Sequence, residues 1–270
     1  MSDVTNGVKG GTSGGLLREV KGGPARESKG DSTLRIGVIY PAVLGTYGDG
    51  GNAVVLAERA RRRGFAAEIV EIGLGDTVPV ELDIYTLGGG EDSAQAIAAG
   101  KLRASNGLTE AARRGAPVLA ICASLQVLGT EYTDARDKLV PGLGLLDVVT
   151  TPRGKRAIGE LITSPLIEGL TQPLTGFENH GGGTVVGADA TPLGRVIHGV
   201  GNGAFSPKGS LPEERYEGAV QGSVIGTYMH GPALARNPEL ADYILSKVLG
   251  DLDALEVPGV ERLRAERLKV

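Results

Sequence analysis

The chain has 270 residues, 41% hydrophobic and 22% charged, enough for one α/β domain or two small ones. Its 28 Lys and Arg against 32 Asp and Glu give a net charge of −4, without the basic excess that would suggest a nucleic-acid binder. A single Cys excludes a disulfide-stapled secreted fold and fits a reducing cytoplasm.

Met1–Asp31 is rich in Gly and charge, with only scattered apolar residues. It cannot bury enough surface to offset its ordering entropy, so a flexible extension is expected over 1–31. A single domain is expected over 32–250 and a charged, helix-prone tail over 251–270, either frayed or docked. No leader pattern opens the chain, and the longest apolar stretch, Ala116–Gly129, is too short to span a bilayer, so no membrane insertion is expected.

Leu34–Tyr40 reads as a buried strand bounded by Ser32 and Pro41. Gly51–Arg63 reads as a helix ended by Gly64, with Arg59, Arg61, Arg62 and Arg63 as a solvated face that complements the helix dipole. The glycine-rich loop between them, GTYGDGGN (Gly45–Asn52), fits no phosphate-binding spacing; Asp49 reads as a cap for the helix. Ala66–Ile72, Leu82–Leu87 and Pro117–Ile121 are further strands, and Ser93–Gly100 and Ser105–Arg114 are helices. This alternation predicts a mostly parallel sheet covered on both faces. After Asp137 the chain reads as short antiparallel or mixed strands completing the same domain, including Leu145–Val149, Gly159–Ile162, Thr175–Phe177 and Thr184–Val186. Pro238–Leu249 is a last amphipathic helix.

The segment PVLAICASLQVLG (Pro117–Gly129) has the pattern of a nucleophile elbow. An apolar strand ends at Cys122, the small Ala123 lets the turn close, and the start of the next helix favours a thiolate. Gly88-Gly89-Gly90 ends another strand and can turn backbone N–H groups toward an oxyanion. A Cys nucleophile needs a base, and there are three histidines. His198 reads as a sheet or surface residue. His180, in a glycine-rich loop, and His230, at a strand end, are both candidates, with His230 favoured because strand ends share one sheet edge. No Asp/Glu/His grouping has the spacing of a metal site, and no G-x-x-x-x-G-K-[ST] occurs.

Taken together, Cys122-Ala-Ser-Leu-Gln126, the loop Asn179-His180-Gly181 and GTYMHGP (Gly226–Pro232) resemble the class I, triad-type glutamine amidotransferases, in their cobyric-acid-synthase-like branch. With YGDGGN, LGGGEDSAQ, GFENHGG and NPELADYIL, the resemblance extends over residues 34–250 and toward the members that amidate peptidoglycan precursors. It implies a three-layer α/β sandwich. Cys122 would be the nucleophile and His230 the general base and acid. Gly89, Gly90 and Ala123 would form the oxyanion hole, and Gln126, Asn179, Gly181 and Arg156 would hold L-glutamine. A guanidinium suits a carboxylate through bidentate bonding. Many triad amidotransferases place Glu two residues after the catalytic His; here that residue is Pro232, so the third member is absent or comes from another segment or a partner. No cofactor is implied on this chain. A separate MurT-like, Mur-ligase-like subunit holding ATP and magnesium is implied, paired in a heterodimer, with the D-glutamate of the lipid II stem peptide as acceptor. The alternatives are a glutaminase for another synthetase, such as a cobalamin-type amidation, or a non-catalytic binding module of the same fold.

Overall fold

Runs of β-branched and aliphatic residues build the central sheet of the computed structural model, which describes residues 33–134, 136–203 and 214–269. The stretch read as an N-terminal extension lies outside these residues. Leu34–Ile39 (β1) pairs in parallel with Ala67–Ile72 (β2) on one side and Ile84–Leu87 (β3) on the other. β3 pairs in parallel with Val118–Ile121 (β4). β3 and β4 are buried at every position, as expected of strands covered on both faces.

Helices join these strands. Gly51–Arg61 (α1) packs on β1 and β2. Asp92–Ala104 (α2) and Gly107–Arg113 (α3) connect β3 to β4, and Ala123–Leu128 (α4) follows β4 directly.

Of the four arginines at the end of α1, Arg61 and Arg62 are exposed as expected, whereas Arg59 and Arg63 depart from the solvated face. Arg59 is buried, and its guanidinium makes two bonds to Asp242, Nε to Oδ1 at 2.7 Å and Nη2 to Oδ2 at 2.5 Å. Arg63 reaches the same carboxylate at 2.8 Å. Asp242 lies near the end of the chain, so this pairing is invisible to a local pattern.

Beyond α4 the chain forms Glu131–Thr133 (β5), Leu139–Pro141 (β6), Val148–Pro165 (β7), Leu174–Val186 (β8), Gly194–His198 (β9) and Tyr216–Glu217 (β10). These make a second sheet in the order β10-β9-β7-β5-β6, with β8 paired to β7. The expectation that this part of the domain is made of short strands throughout is corrected here. β7 and β8 are long antiparallel partners, and a register shift between Pro152 and Ala157 absorbs the residues that read as breaks. Only Ala219–Gln221 (β11) and Val224–Thr227 (β12) return to the first sheet, whose full order is β11-β12-β4-β3-β1-β2. β12 is parallel to β4, and β11 is an antiparallel edge.

Ala233–Arg236 (α5) and Pro238–Leu249 (α6) pack with α1 on one face, while α2 and α4 pack together on the other. This is the three-layer α/β sandwich. The tail ends in a docked helix, Val260–Arg267 (α7). Arg264 anchors it, with Nη1 donating to the Arg236 carbonyl at 2.7 Å and Nη2 to the Pro173 carbonyl at 3.0 Å.

Candidate active site

β1, β3, β4 and β12 are parallel neighbours, so the segments that follow them open on the same edge of the sheet. Those segments are the loop containing Asp49, the Gly88-Gly89-Gly90 run, Cys122 and His230.

Cys122 sits at the elbow between β4 and α4 with φ 53° and ψ −106°, a backbone conformation that side-chain-bearing residues rarely adopt. Two bonds hold it there. Its N–H donates to the Thr227 carbonyl of β12 at 2.8 Å, and Ser124 Oγ donates to the Gly88 carbonyl at 2.6 Å. The first ties the nucleophile position to the strand that leads to His230, and the second ties it to the glycine run.

The backbone of His230 is clasped by β8. Its N–H donates to the Phe177 carbonyl at 2.9 Å, and the Phe177 N–H donates back at 3.1 Å. The ring is buried, and Nδ1 meets the Asp49 carboxylate at 3.0 and 3.1 Å. The other ring nitrogen, Nε2, has no hydrogen-bond partner among the described residues. Cys122 and His230 face each other across Gly89, where an added Cβ would lie 3.2 Å from Cys122 Cβ and 2.8 Å from His230 Cε1. Burial by itself pulls the His230 pKa down. The Asp49 carboxylate bonded to Nδ1 and the charge of the neighbouring Cys122 outweigh that and raise it to about 9.

The third acid left open by the sequence is therefore Asp49, from the loop after β1. Asp49 does not cap α1: the cap position is Gly50, and no side chain caps that end. The rest of the YGDGGN motif holds the acid in place. Asn52 Nδ2 donates to the Asp49 carbonyl at 3.0 Å, and Asn52 Oδ1 accepts the Leu234 N–H at 2.9 Å, joining this loop to the segment after His230. A Cβ on Gly51 would lie 2.4 Å from Pro232 Cγ, so Gly51 lets the loop close on the proline that replaces the expected Glu.

One of the three expected oxyanion donors is corrected. The Gly89 N–H is already bonded to Asp49 Oδ2 at 2.9 Å. The Gly90 N–H has no acceptor among the described residues, and Ala123 opens α4, so its N–H has no acceptor within the helix. A methyl at Gly89 would wedge between imidazole and thiol. Gly89→Ala is expected to lower kcat for glutamine by roughly 10²-fold, in keeping with the cost of misplacing reacting groups. Steady-state kinetics check this, with a thermal melt showing that the fold is retained.

Beside Cys122 lies a cavity of about 190 Å³, lined among others by Tyr47, Gly90, Glu91, Gln126, Arg156, Asn179 and Gly181. The structure thus brings together all four expected glutamine-holding residues. Gln126 is fixed by Gln95, which donates to its Oε1 at 2.9 Å, and it donates to the Tyr228 hydroxyl at 3.2 Å. Arg156 projects from β7 and binds Asn179 of β8, with Nη2 to Oδ1 at 2.8 Å and Nε to Oδ1 at 3.2 Å. The Asn179 carbonyl lies 4.0 Å from Cys122 Sγ. Tyr47, missed in the sequence, packs its ring against His230 with centroids 4.7 Å apart. Burial first, and then the Glu91 carboxylate, raise the Tyr47 pKa, so the phenol stays protonated as a donor.

The other two histidines are set apart. His180 lines the cavity, but both ring nitrogens have partners, the Gly182 carbonyl at 2.9 Å and Glu178 at 3.4 Å, and the ring stacks on Tyr228. Burial lowers its pKa, which favours the neutral form. His198 is exposed on β9, as expected. No group of three or more His, Cys, Asp or Glu side chains among the described residues is placed to hold a metal ion.

A thiol, an imidazole and a carboxylate in series, with free N–H donors beside them at a sheet edge, can perform acyl transfer through a covalent thioester. Residues 35–238 match the family described as CobB/CobQ-like glutamine amidotransferase domain. The chain belongs to this family and is a glutamine amidotransferase. Among its relatives is the protein named lipid II isoglutaminyl synthase (glutamine-hydrolyzing) subunit GatD of Staphylococcus aureus (strain N315), 36% identical over 206 residues, 76% of this chain and 79% of that one. The protein of the same name from Streptococcus pneumoniae (strain ATCC BAA-255 / R6) is 34% identical over 219 residues, 80% of each chain. A cobyric acid synthase of Pelotomaculum thermopropionicum is 42% identical, but over 45% of this chain and 24% of its own length. The fold is shared with a crystal structure of a glutamine amidotransferase, at a TM-score of 0.50 and 21% identity, covering 78% of this chain and 97% of the other.

Proposed function

We propose that this chain is the glutaminase subunit of an ATP-dependent amide ligase that acts on the D-glutamate carboxyl of the lipid II stem peptide. The observation that carries the glutaminase reading is the Asp49–His230–Cys122 series opening on a cavity lined by Arg156. The acceptor reading is supported by the two GatD relatives, which align over about four-fifths of their length.

In the proposed mechanism the Cys122 thiolate attacks the side-chain amide carbon of L-glutamine. The N–H groups of Gly90 and Ala123 stabilise the oxyanion that forms. His230 holds its proton as an imidazolium beside the thiolate, oriented by Asp49. It gives that proton to the departing nitrogen, releasing ammonia and leaving a γ-glutamyl thioester. The neutral imidazole then takes a proton from water as the water attacks the thioester. Glutamate leaves and Cys122 returns to the thiolate. Arg156 binds the α-carboxylate of the substrate, exchanging its bonds to Asn179 for that anion.

The chain has no G-x-x-x-x-G-K-[ST] sequence to bind ATP phosphates. We assign carboxylate activation to a separate MurT-like, Mur-ligase-like subunit carrying ATP and magnesium, which receives ammonia from this chain in a cytoplasmic heterodimer. Among the described residues no helix is long and apolar enough to cross a membrane, so access to the lipid-linked acceptor is assigned to that partner.

The chain co-expressed with such a ligase, given glutamine, ATP and lipid II, is expected to form the D-isoglutamine amide, with glutamate released in step. Glutamate release without amidation of lipid II, but with amidation of a corrinoid carboxylate by another synthetase, would move the assignment to the cobalamin-type reading. Arg156→Lys keeps the charge but loses the bidentate fork. It is expected to raise KM for glutamine roughly tenfold with a smaller change in kcat, measured as initial rates of glutamate release.

A further inference from the structure

Resting on the reading that this site takes glutamine, we propose that Glu91 binds the α-ammonium of the substrate, making the site selective for a free, zwitterionic L-α-amino acid. Glutamine with its amide at Cys122 places Cα three bonds away, with a carboxylate and an ammonium diverging from it. The cavity offers groups of both charges. Arg156 lines it on the side of β7 and β8, and Glu91 lines it immediately after Gly90, one of the free oxyanion donors.

Glu91 and Arg156 are joined by a chain of bonds. Tyr47 donates its hydroxyl to Glu91 Oε1 at 3.0 Å and accepts from Asn179 Nδ2 at 3.4 Å, while Asn179 Oδ1 accepts from Arg156 Nη2 at 2.8 Å. A carboxylate and a guanidinium are thus held at either end of one phenol–amide bridge beside the nucleophile. Glu91 Oε1 takes the Tyr47 hydroxyl, and Oε2, with no hydrogen bond to the described residues, is left to a substrate cation.

The remaining cavity acids fit that task less well. Asp134 Oδ1 already accepts the N–H groups of Arg136 and Lys138, each at 2.9 Å. Asp92 is the first residue of α2 and makes no bond to Tyr47 or Asn179. Cys122 lines the same cavity, marking where the reacting end of the ligand lies. Tyr47 acts here as a positioning residue, with its ring on His230 and its hydroxyl on Glu91. On this assignment, glutamine within a peptide, whose nitrogen is an uncharged amide, is a poor substrate.

The test compares L-glutamine with glutaramate, which keeps the amide and carboxylate but lacks the amino group. Rates of ammonia release are measured on the ligase complex for wild type, Glu91→Gln and Tyr47→Phe. Wild type is expected to favour L-glutamine by roughly 10–100-fold in kcat/KM, the range for losing a bond to a charged group. In Glu91→Gln that ratio falls at least about tenfold, chiefly through KM for glutamine, and Tyr47→Phe moves it in the same direction. Glu91→Asp, which keeps the charge, recovers part of the ratio. An unchanged ratio in Glu91→Gln, in an enzyme that still hydrolyses glutamine, overturns the ammonium site and leaves the glutaminase reading standing. Failure of the wild-type complex to hydrolyse glutamine overturns both.

Discussion

Cys122→Ser is expected to lower glutamate release from glutamine by at least roughly 10³-fold while leaving the fold intact. The size of the effect follows from the chemistry. A hydroxyl in place of the thiol is a far weaker nucleophile at neutral pH, and in the proposed mechanism His230 holds a proton for the departing nitrogen rather than acting as a base strong enough to ionise an alcohol. The variant changes one atom at an elbow whose backbone bonds, Cys122 N–H to Thr227 and Ser124 Oγ to Gly88, involve no sulfur. Thermal melting should therefore stay close to wild type. KM cannot be read from an inactive enzyme, but glutamine binding by calorimetry should persist, because Arg156 and Asn179 are untouched.

Asp49→Asn is expected to cost roughly 10²-fold in kcat, within the range for impaired general acid–base catalysis, and to change the pH profile. The His230 pKa is raised to about 9 because its bond to Asp49 and the charges of Asp49 and Cys122 overcome the burial that pulls it down. In wild type the alkaline limb of activity is expected near pH 9, where the imidazolium loses its proton. With the carboxylate removed, burial still opposes the charge, so the limb should move to lower pH by about one unit or more.

Stability follows the same sign. A histidine whose folded pKa lies above its unfolded value of about 6.5 contributes stability that is fully present below pH 6.5. That contribution is lost as pH rises through about 9. The gap in melting temperature between wild type and Asp49→Asn should therefore narrow from pH 6 to pH 10. A gap that stayed constant, with an unmoved alkaline limb, would place the His230 proton under some control other than Asp49.

The parallel sheet and its elbow were legible because both are local. Leu34–Ile39 and Val118–Ile121 are short apolar runs, and the small residues after Cys122 announce a tight turn. The long β7–β8 pair was not legible. The sequence between Val149 and Gly159 reads as a break, whereas the strand runs on through a register shift between Pro152 and Ala157. Arg59 and Arg63 read as solvent-facing because their partner, Asp242, lies on another helix far along the chain.

In the site, Cys122 and His230 could be read from their strand ends, and Arg156, Asn179 and Gln126 from resemblance. Asp49 could not be assigned its role. A lone Asp before a helix has the same appearance whether it caps the helix or faces a histidine, and only the neighbouring positions of β1, β3, β4 and β12 bring it to His230. Gly89 was placed in the right loop with the wrong bond, since its N–H faces Asp49 rather than the substrate space.

The central claim is that Cys122 forms a covalent bond to glutamine's reacting end, activated by His230 and Asp49. The most direct measurement is peptide mass mapping after treatment of the ligase complex with a chloroketone analogue of glutamine, whose chloride the thiolate displaces. The account predicts one adduct, on Cys122, slowed by L-glutamine, absent in Cys122→Ser and formed much more slowly in Asp49→Asn. An enzyme that releases glutamate at full rate while Cys122 stays unmodified, or that remains active after complete modification of Cys122, would contradict it.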